Sequence, residues 1–127
     1  MKKKIKCLCV VMALAMICSA SAFAASYNFP IVPPYSGCIQ YSSGVQRTSG
    51  TPYVSPSVAA TPTTYVIVPE QNTHNFATNI ITSVSTAGRR NFTYNSGYGG
   101  TGHTYYLAGH STERSFLAYT VRGTWNP

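Results

Sequence analysis

The sequence predicts an all-β protein: a single small antiparallel β-sandwich, with a barrel as the alternative, behind an N-terminal signal helix. Three observations point there. Beyond residue 24 helix formers nearly vanish, leaving Leu107 and Leu117 as the leucines and no methionine or lysine. Thr, Val, Ile and Tyr dominate in their place, and these β-branched and aromatic side chains suit a pleated, half-buried surface. Period-2 alternation then separates strands from disorder, because successive strand residues face opposite ways.

The chain opens with Met1-Lys2-Lys3-Lys4-Ile5-Lys6, runs apolar from Cys7 to Ile17, and offers a small-x-small pattern at Ala22-Phe23-Ala24. That order describes a secretory signal peptide over residues 1–24, with cleavage expected between Ala24 and Ala25. The apolar run of about 11 residues is well short of the roughly 20 that a membrane-crossing helix needs. No second apolar stretch approaches that length, so no membrane span is expected and the protein is expected outside the cell. Cys18 follows the apolar run, but Ile17 before it does not suit lipidation.

Residues 25–36 carry Pro30, Pro33 and Pro34 and read as an extended N-terminal segment. The sandwich domain is expected over 37–127. Cys38 to Val45 reads as a short strand, and Ser49 to Pro62, with Pro52, Pro56 and Pro62, as an edge strand plus a long loop. Thr63 to Val68 is a strand bracketed by Pro62 and Pro69; it is apolar on both sides, which means burial of both faces or an ambiguous register. Phe76 to Ser85 reads as a strand with Ile80, Thr82 and Val84 in phase. Gly88 starts a turn before Phe92-Thr93-Tyr94. Asn95 to Gly102 is turn-rich, and His103 to Ala108 forms a strand that Gly109 closes. The strongest pattern runs from Ser115 to Trp125, with Leu117, Tyr119, Val121 and Trp125 on one face. Gly123 interrupts that face and marks a bulge or a close approach by another backbone. Several short strands separated by turns favour a sandwich.

Signal removal changes the charge. The full chain is +7, but all four lysines lie in residues 1–6. The remainder keeps Arg47, Arg89, Arg90, Arg114 and Arg122 against Glu70 and Glu113, a net of +3. No clustered basic stripe exists, so no nucleic-acid partner is expected. Cys38 is the sole cysteine after residue 24, which excludes an intrachain disulfide and leaves a Cys38-linked homodimer open.

Chemistry is sparse. Glu70 and Glu113 are far apart in sequence and flank turns, which does not suit paired-carboxylate catalysis. No aspartate is present to orient a catalytic histidine. His74, His103 and His110 lack the close spacing of metal ligands, and no cofactor is expected. A Cys38 thiolate activated by a histidine is the one enzymatic alternative, but Gly37-Cys38-Ile39 has no nucleophile-turn pattern. Gly97 to Gly102 lacks the lysine and helix of a phosphate loop. Asn91-Phe92-Thr93 is formally a glycosylation acceptor.

The chemical excess is aromatic: all ten tyrosines follow residue 24. An apolar ring with a polar tip suits a partly wet site such as a glycan-binding face. Ten rings exceed what one small core hides, so Tyr98, Tyr105 and Tyr106 are candidate contacts, joined by Arg89 and Arg90 for anionic groups. Tyr105 and Tyr106 are adjacent, so on a strand one of them faces outward.

The lysine-rich start and short apolar stretch resemble signal peptides of Gram-positive bacteria. The block Gly102-x-x-Tyr105-x-Leu107, followed by Tyr119-Thr120-Val121-Arg122-Gly123-Thr124-Trp125-Asn126-Pro127, resembles a loose group of small, functionally uncharacterised exported proteins of Firmicutes that end in a Gly-x-Trp strand. The chain is also similar to lactococcin-972-like bacteriocins, which are small, exported, aromatic-rich β-sandwiches. Its charge and the position of Gly-x-Trp depart from that pattern. Residues and resemblance together lead to a secreted, non-catalytic β domain that binds an extracellular or cell-envelope surface, a cell-wall glycan or an anionic envelope polymer. A bacteriocin-like antimicrobial is the first alternative and a Cys38-dependent enzyme the second.

Overall fold

The computed structural model describes residues 24–31, 39–57, 61–113 and 118–127. Expectations for the signal segment, for Pro33 and Pro34, and for Cys38, Arg114 and Leu117 therefore lie outside the described residues. Within them the chain is all-β, two antiparallel sheets packed face to face.

The first strand, β1 (Ala25–Ile31), is formed by residues expected only to be extended. Its alternation is regular: Tyr27, Phe29 and Ile31 are buried, while Ser26, Asn28 and Pro30 are exposed. Burial of this aromatic row makes β1 an integral edge of the sandwich, so the domain begins at residue 25 rather than at 37. Pro30 is tolerated because an edge strand leaves one side without ladder bonds. β1 pairs along its whole length with β9 (Tyr119–Asn126), which pairs on its other side with β4 (Tyr53–Pro56). β7 (Arg90–Asn91) closes that sheet. β4 is thus an inner strand and not the edge that its prolines suggested. Pro52 and Pro56 escape the penalty because their carbonyls, which proline retains, accept from Phe92 N–H (2.8 Å) and Gly88 N–H (3.1 Å).

The second sheet centres on β5 (Thr63–Val68) and β8 (Thr104–Ser111). β8 runs through Gly109 instead of ending there. The glycine is needed for space, since a Cβ would sit 2.9 Å from the Phe29 ring. β6 (Ile81–Val84) is the edge beyond β5, shorter than the strand expected from Phe76 to Ser85. Its register shifts between Thr63↔Val84 and Tyr65↔Ile81, and Ser83 takes φ 56° at this bulge. The shift puts Val84 and Ile81, rather than Ile80 and Val84, toward the core. The edge beyond β8 is split into β2 (Gln40–Tyr41) and β3 (Val45–Gln46). Between them Ser42 replaces a main-chain acceptor, its Oγ taking the Leu107 N–H at 2.9 Å.

Between the sheets lie Trp125, Tyr65, Phe29, Ile67, Leu107, Val54 and Val121, all fully buried. Each such side chain contributes about 1.5–3 kcal/mol by leaving water. Tyr27 Oη donates to Tyr65 Oη across the core at 3.2 Å, so the two buried hydroxyls satisfy one another. Gly123 marks the close approach that its place in the apolar face implied. It lies opposite Pro56, and a Cβ there would overlap the Ser55 carbonyl oxygen.

Candidate functional site

The two outer faces of the sandwich differ in chemistry. On the first sheet most outward residues are polar, Ser26, Asn28, Ser55, Thr120, Arg122 and Thr124, with Pro30 and the Arg89-covered Tyr53 as the exceptions. On the second sheet they are apolar. β5 is buried on both sides; Tyr65 and Ile67 face the main core, while Val66 and Val68 join Ala108 of β8 in a second cluster flanked by Tyr41 and Tyr106. The doubly apolar pattern of this strand thus means two covered faces, with the register held by all six β5–β8 pairs from Thr63↔Ser111 to Val68↔Tyr106.

Cover over the outer face is incomplete. Thr73 to Ile80 follows β5 and runs beside its edge, anchored where Ala77 N–H donates to the Ile67 carbonyl and where Thr78 Oγ1 accepts the Ile67 N–H. A small groove, partly open to solvent, remains between this segment and the sheet. Val66 and Val68 form its floor, with Ile39, Tyr41, Phe76 and Ile80 around them. Ile39, Phe76 and Ile80 keep 43%, 37% and 45% of their surface exposed. These are the exposed large hydrophobics among the described residues, and all three border this one groove. No residue lining it carries a permanent charge, and His110 is the one imidazole there. Tyr41 Oη is already engaged, accepting the Asn72 N–H at 3.1 Å, which fixes the ring at the rim.

The residues singled out from sequence are not brought together. Tyr106 is half-buried on the outer face beside the groove, where an outward tyrosine was expected. Tyr105 is its inward counterpart at 2% exposure, its ring 5.5 Å from Tyr94 and its hydroxyl accepting the Gly99 N–H at 2.8 Å. It is a core residue and unavailable for surface contact. Tyr98 is half-buried and packed against the same core. Arg89 and Arg90 belong to the other sheet. The Arg89 guanidinium lies 4.0 Å over the Tyr53 ring, and its Nε donates to Asn91 Oδ1. Arg90 is turned back on its own loop through Thr86 Oγ1 (2.6 Å) and the Gly88 carbonyl (3.1 Å). Their donors are spent largely on local structure.

Arg47 is held more firmly still. It donates through Nε to the Gly99 carbonyl (2.7 Å) and through Nη1 to the Pro127 carbonyl (2.8 Å), and it lies over the Tyr94 ring. This arginine ties the Gly97–Gly102 turn and the last strand to β3, so it organises the fold and contacts no groove. Burial pushes the Tyr94 hydroxyl up, and the Arg47 charge opposes that. The histidines do not converge, and among the described residues no group of three His, Cys, Asp or Glu is placed to hold a metal. No described helix is long and apolar enough to cross a membrane.

Sequence reasoning missed Ile39, Tyr41, Phe76 and Ile80 as neighbours. The signal available was the doubly apolar β5, whose outer face needed a cover, together with the apolar residues of 76–81 that no single strand phase accommodates. Fold and site define a two-sheet β-sandwich with one polar and one apolar-aromatic outer face. Compared with known protein families, with curated proteins and with solved structures, the chain finds no match.

Proposed function

We propose that this protein is a secreted, non-catalytic β domain that binds the cell envelope of a Gram-positive bacterium, with a cell-wall glycan as its ligand. The contact surface is the outer face of the second sheet. One observation carries the reading: Ile39, Phe76 and Ile80, the exposed large hydrophobics among the described residues, all stand around one groove with tyrosines at its margin, while the opposite outer face is mostly polar. An uncharged lining with Tyr41 and Tyr106 beside it suits a sugar ring, whose C–H faces stack on aromatic surfaces while its hydroxyls stay wet. The same absence of charge argues against an anionic polymer at this place. Arg47, Arg89 and Arg90 lie elsewhere and engage local partners.

Co-sedimentation of residues 25–127 with purified Gram-positive cell walls across a salt series tests this. Residues 25–127 hold both sheets and the whole described core. Retention at high salt is expected, since a stacking contact is not screened. Tyr106→Ala and Phe76→Ser should each weaken it about tenfold or more. Release at moderate salt would mean cationic adhesion and refute the groove as the site. Absence of binding at any salt, with growth inhibition of related strains by the same preparation, would reassign the protein to the bacteriocin-like alternative.

A further inference from the structure

A sheet edge is a row of unpaired main-chain donors and acceptors, and proteins usually blunt it by shortness, a bulge or charge. Three of the four edges here are blunted. β7 has two residues. The β2–β3 edge is broken at Ser42-Ser43-Gly44, where its register against β8 slips by one residue. β6 is bulged, with Ser83 at φ 56°. The fourth edge, β1, is different. It is seven residues long, in unbroken register with β9, and its sequence Ala-Ser-Tyr-Asn-Phe-Pro-Ile carries no charged side chain.

The direction of its main-chain groups follows from the ladder. Ser57 N–H donates to the Arg122 carbonyl at 3.0 Å, so Arg122 turns its polar groups toward β4. Along a strand these groups alternate sides, so Val121 and Gly123 turn theirs toward β1, opposite Phe29 and Tyr27. In β1 the residues in between, Ser26, Asn28 and Pro30, therefore direct their groups to the free edge. Proline falls where no N–H is needed for β9. Among the described residues nothing pairs with that edge, and the side chains of all three residues are exposed.

We propose that this edge is an interaction surface for a second copy of the chain, which adds β1 antiparallel to β1 about a two-fold axis at Asn28. The edge is self-complementary in that arrangement. Asn28 faces Asn28 of the second copy and exchanges both main-chain bonds, and each Ser26 N–H meets the Pro30 carbonyl opposite. Tyr27 and Phe29 come opposite one another on the inner face, a favourable aromatic cross-strand pair. No charged side chain on β1 opposes the contact; the amino terminus at Ala25 meets the uncharged Ile31 opposite, and Arg122 sits one strand back as the cross-strand neighbour of Asn28. The two first sheets become one continuous sheet, and because the operation is two-fold the assembly closes as a dimer. Pro30 has no N–H to return to Ser26, which keeps the association weak. The groove is on the other sheet and stays free in the dimer.

Sedimentation equilibrium of residues 25–127, with reductant present to exclude a Cys38 bridge, tests the proposal. A monomer–dimer equilibrium is expected with a dissociation constant between about 10 μM and about 1 mM, the weak end for a one-strand contact. Asn28→Pro removes a donor that β9 does not use, and Asn28→Lys opposes like charges at the axis. Each should raise the dissociation constant by about tenfold or more. The lysine variant leaves every main-chain bond in place, so it carries the test if the proline variant does not fold. Amide exchange gives a second reading. Ser26 and Asn28 N–H should become protected as concentration rises, while Tyr27 and Phe29 are protected throughout. A monomer mass up to about 1 mM overturns the proposal. So does a dimer indifferent to both variants, or one abolished by Phe76→Ser instead.

Discussion

Gly123→Ala is the sharpest test of how the first sheet is built. A Cβ at this position would overlap the Ser55 carbonyl oxygen and lie 2.9 Å from the Ser55 carbonyl carbon and 2.8 Å from Pro56 Cα. All three neighbours are main chain, so no rotamer change relieves the clash. β4 must move away from β9, which strains the ladder from Tyr53↔Asn126 to Pro56↔Gly123 and the adjoining Ser57 N–H bond to Arg122. Overpacking of a close-packed interior costs about 1–3 kcal/mol. A weakened hydrogen bond adds about 1 kcal/mol, so the expected loss is about 3 kcal/mol. With a urea dependence of about 2 kcal/mol per molar, the unfolding midpoint should fall by about 1.5 M. The assay is intrinsic to the chain: Trp125 is the single tryptophan, fully buried two residues from the substitution. Its indole is shut off from solvent, so emission should be blue in the folded state and shift to the red on unfolding. Gly97→Ala is the control. Gly97 has φ 88° but nothing within 4 Å of an added Cβ, so it should cost only the about 1–2 kcal/mol of a left-handed alanine. If Gly123→Ala costs no more than Gly97→Ala, the close approach of β4 and β9 is not rigid and the reasoning fails.

The adjacent tyrosines of β8 should separate cleanly. Tyr105→Ala empties a core position and should cost about 3–5 kcal/mol in the same urea titration, whereas Tyr106→Ala should stay within about 1 kcal/mol; comparable losses would place both rings in the core. Alkaline pH should weaken the fold through the Tyr27–Tyr65 pair. Burial pushes the Tyr65 hydroxyl up to about 12 and Tyr27 further still, against an ordinary value of 10.0. Stability from these groups is therefore complete below about pH 10 and falls above it, as the unfolded chain releases protons that the folded chain keeps, by about 1.4 kcal/mol per pH unit per tyrosine. Unfolding midpoints measured from pH 8 to 12 check this, and a flat profile through pH 12 would show that the pair is not withheld from solvent.

What the sequence determined by itself was local. Alternation placed β9, because a strand's period is independent of what it packs against, and a β-branched apolar run bracketed by Pro62 and Pro69 placed β5. Gly123 was legible as a bulge or a close approach, and the backbone of Ser55 and Pro56 opposite it decided for the close approach. Tyr105 and Tyr106 were legible as one inward and one outward ring, but not which was which. That depended on the side of β8 on which the other sheet lies. Tertiary structure decided the rest. β1 looked like a proline-marked leader because Pro30 obscures a Tyr27, Phe29, Ile31 alternation that only pairing with β9 turns into core. β4 looked like an edge because its prolines lack N–H groups, yet they keep the carbonyls that Phe92 and Gly88 use. Ile80 fell outside the core because the bulge at Ser83 changes the phase of its strand. The groove is formed by Ile39 and by Phe76 and Ile80 around the outer face of β5, three separate stretches of the chain that only the fold brings together. The free edge of β1 is a matter of which strands found partners. Side-chain periodicity is written along the chain, whereas pairing partners, covered faces and open edges are decided by long-range packing.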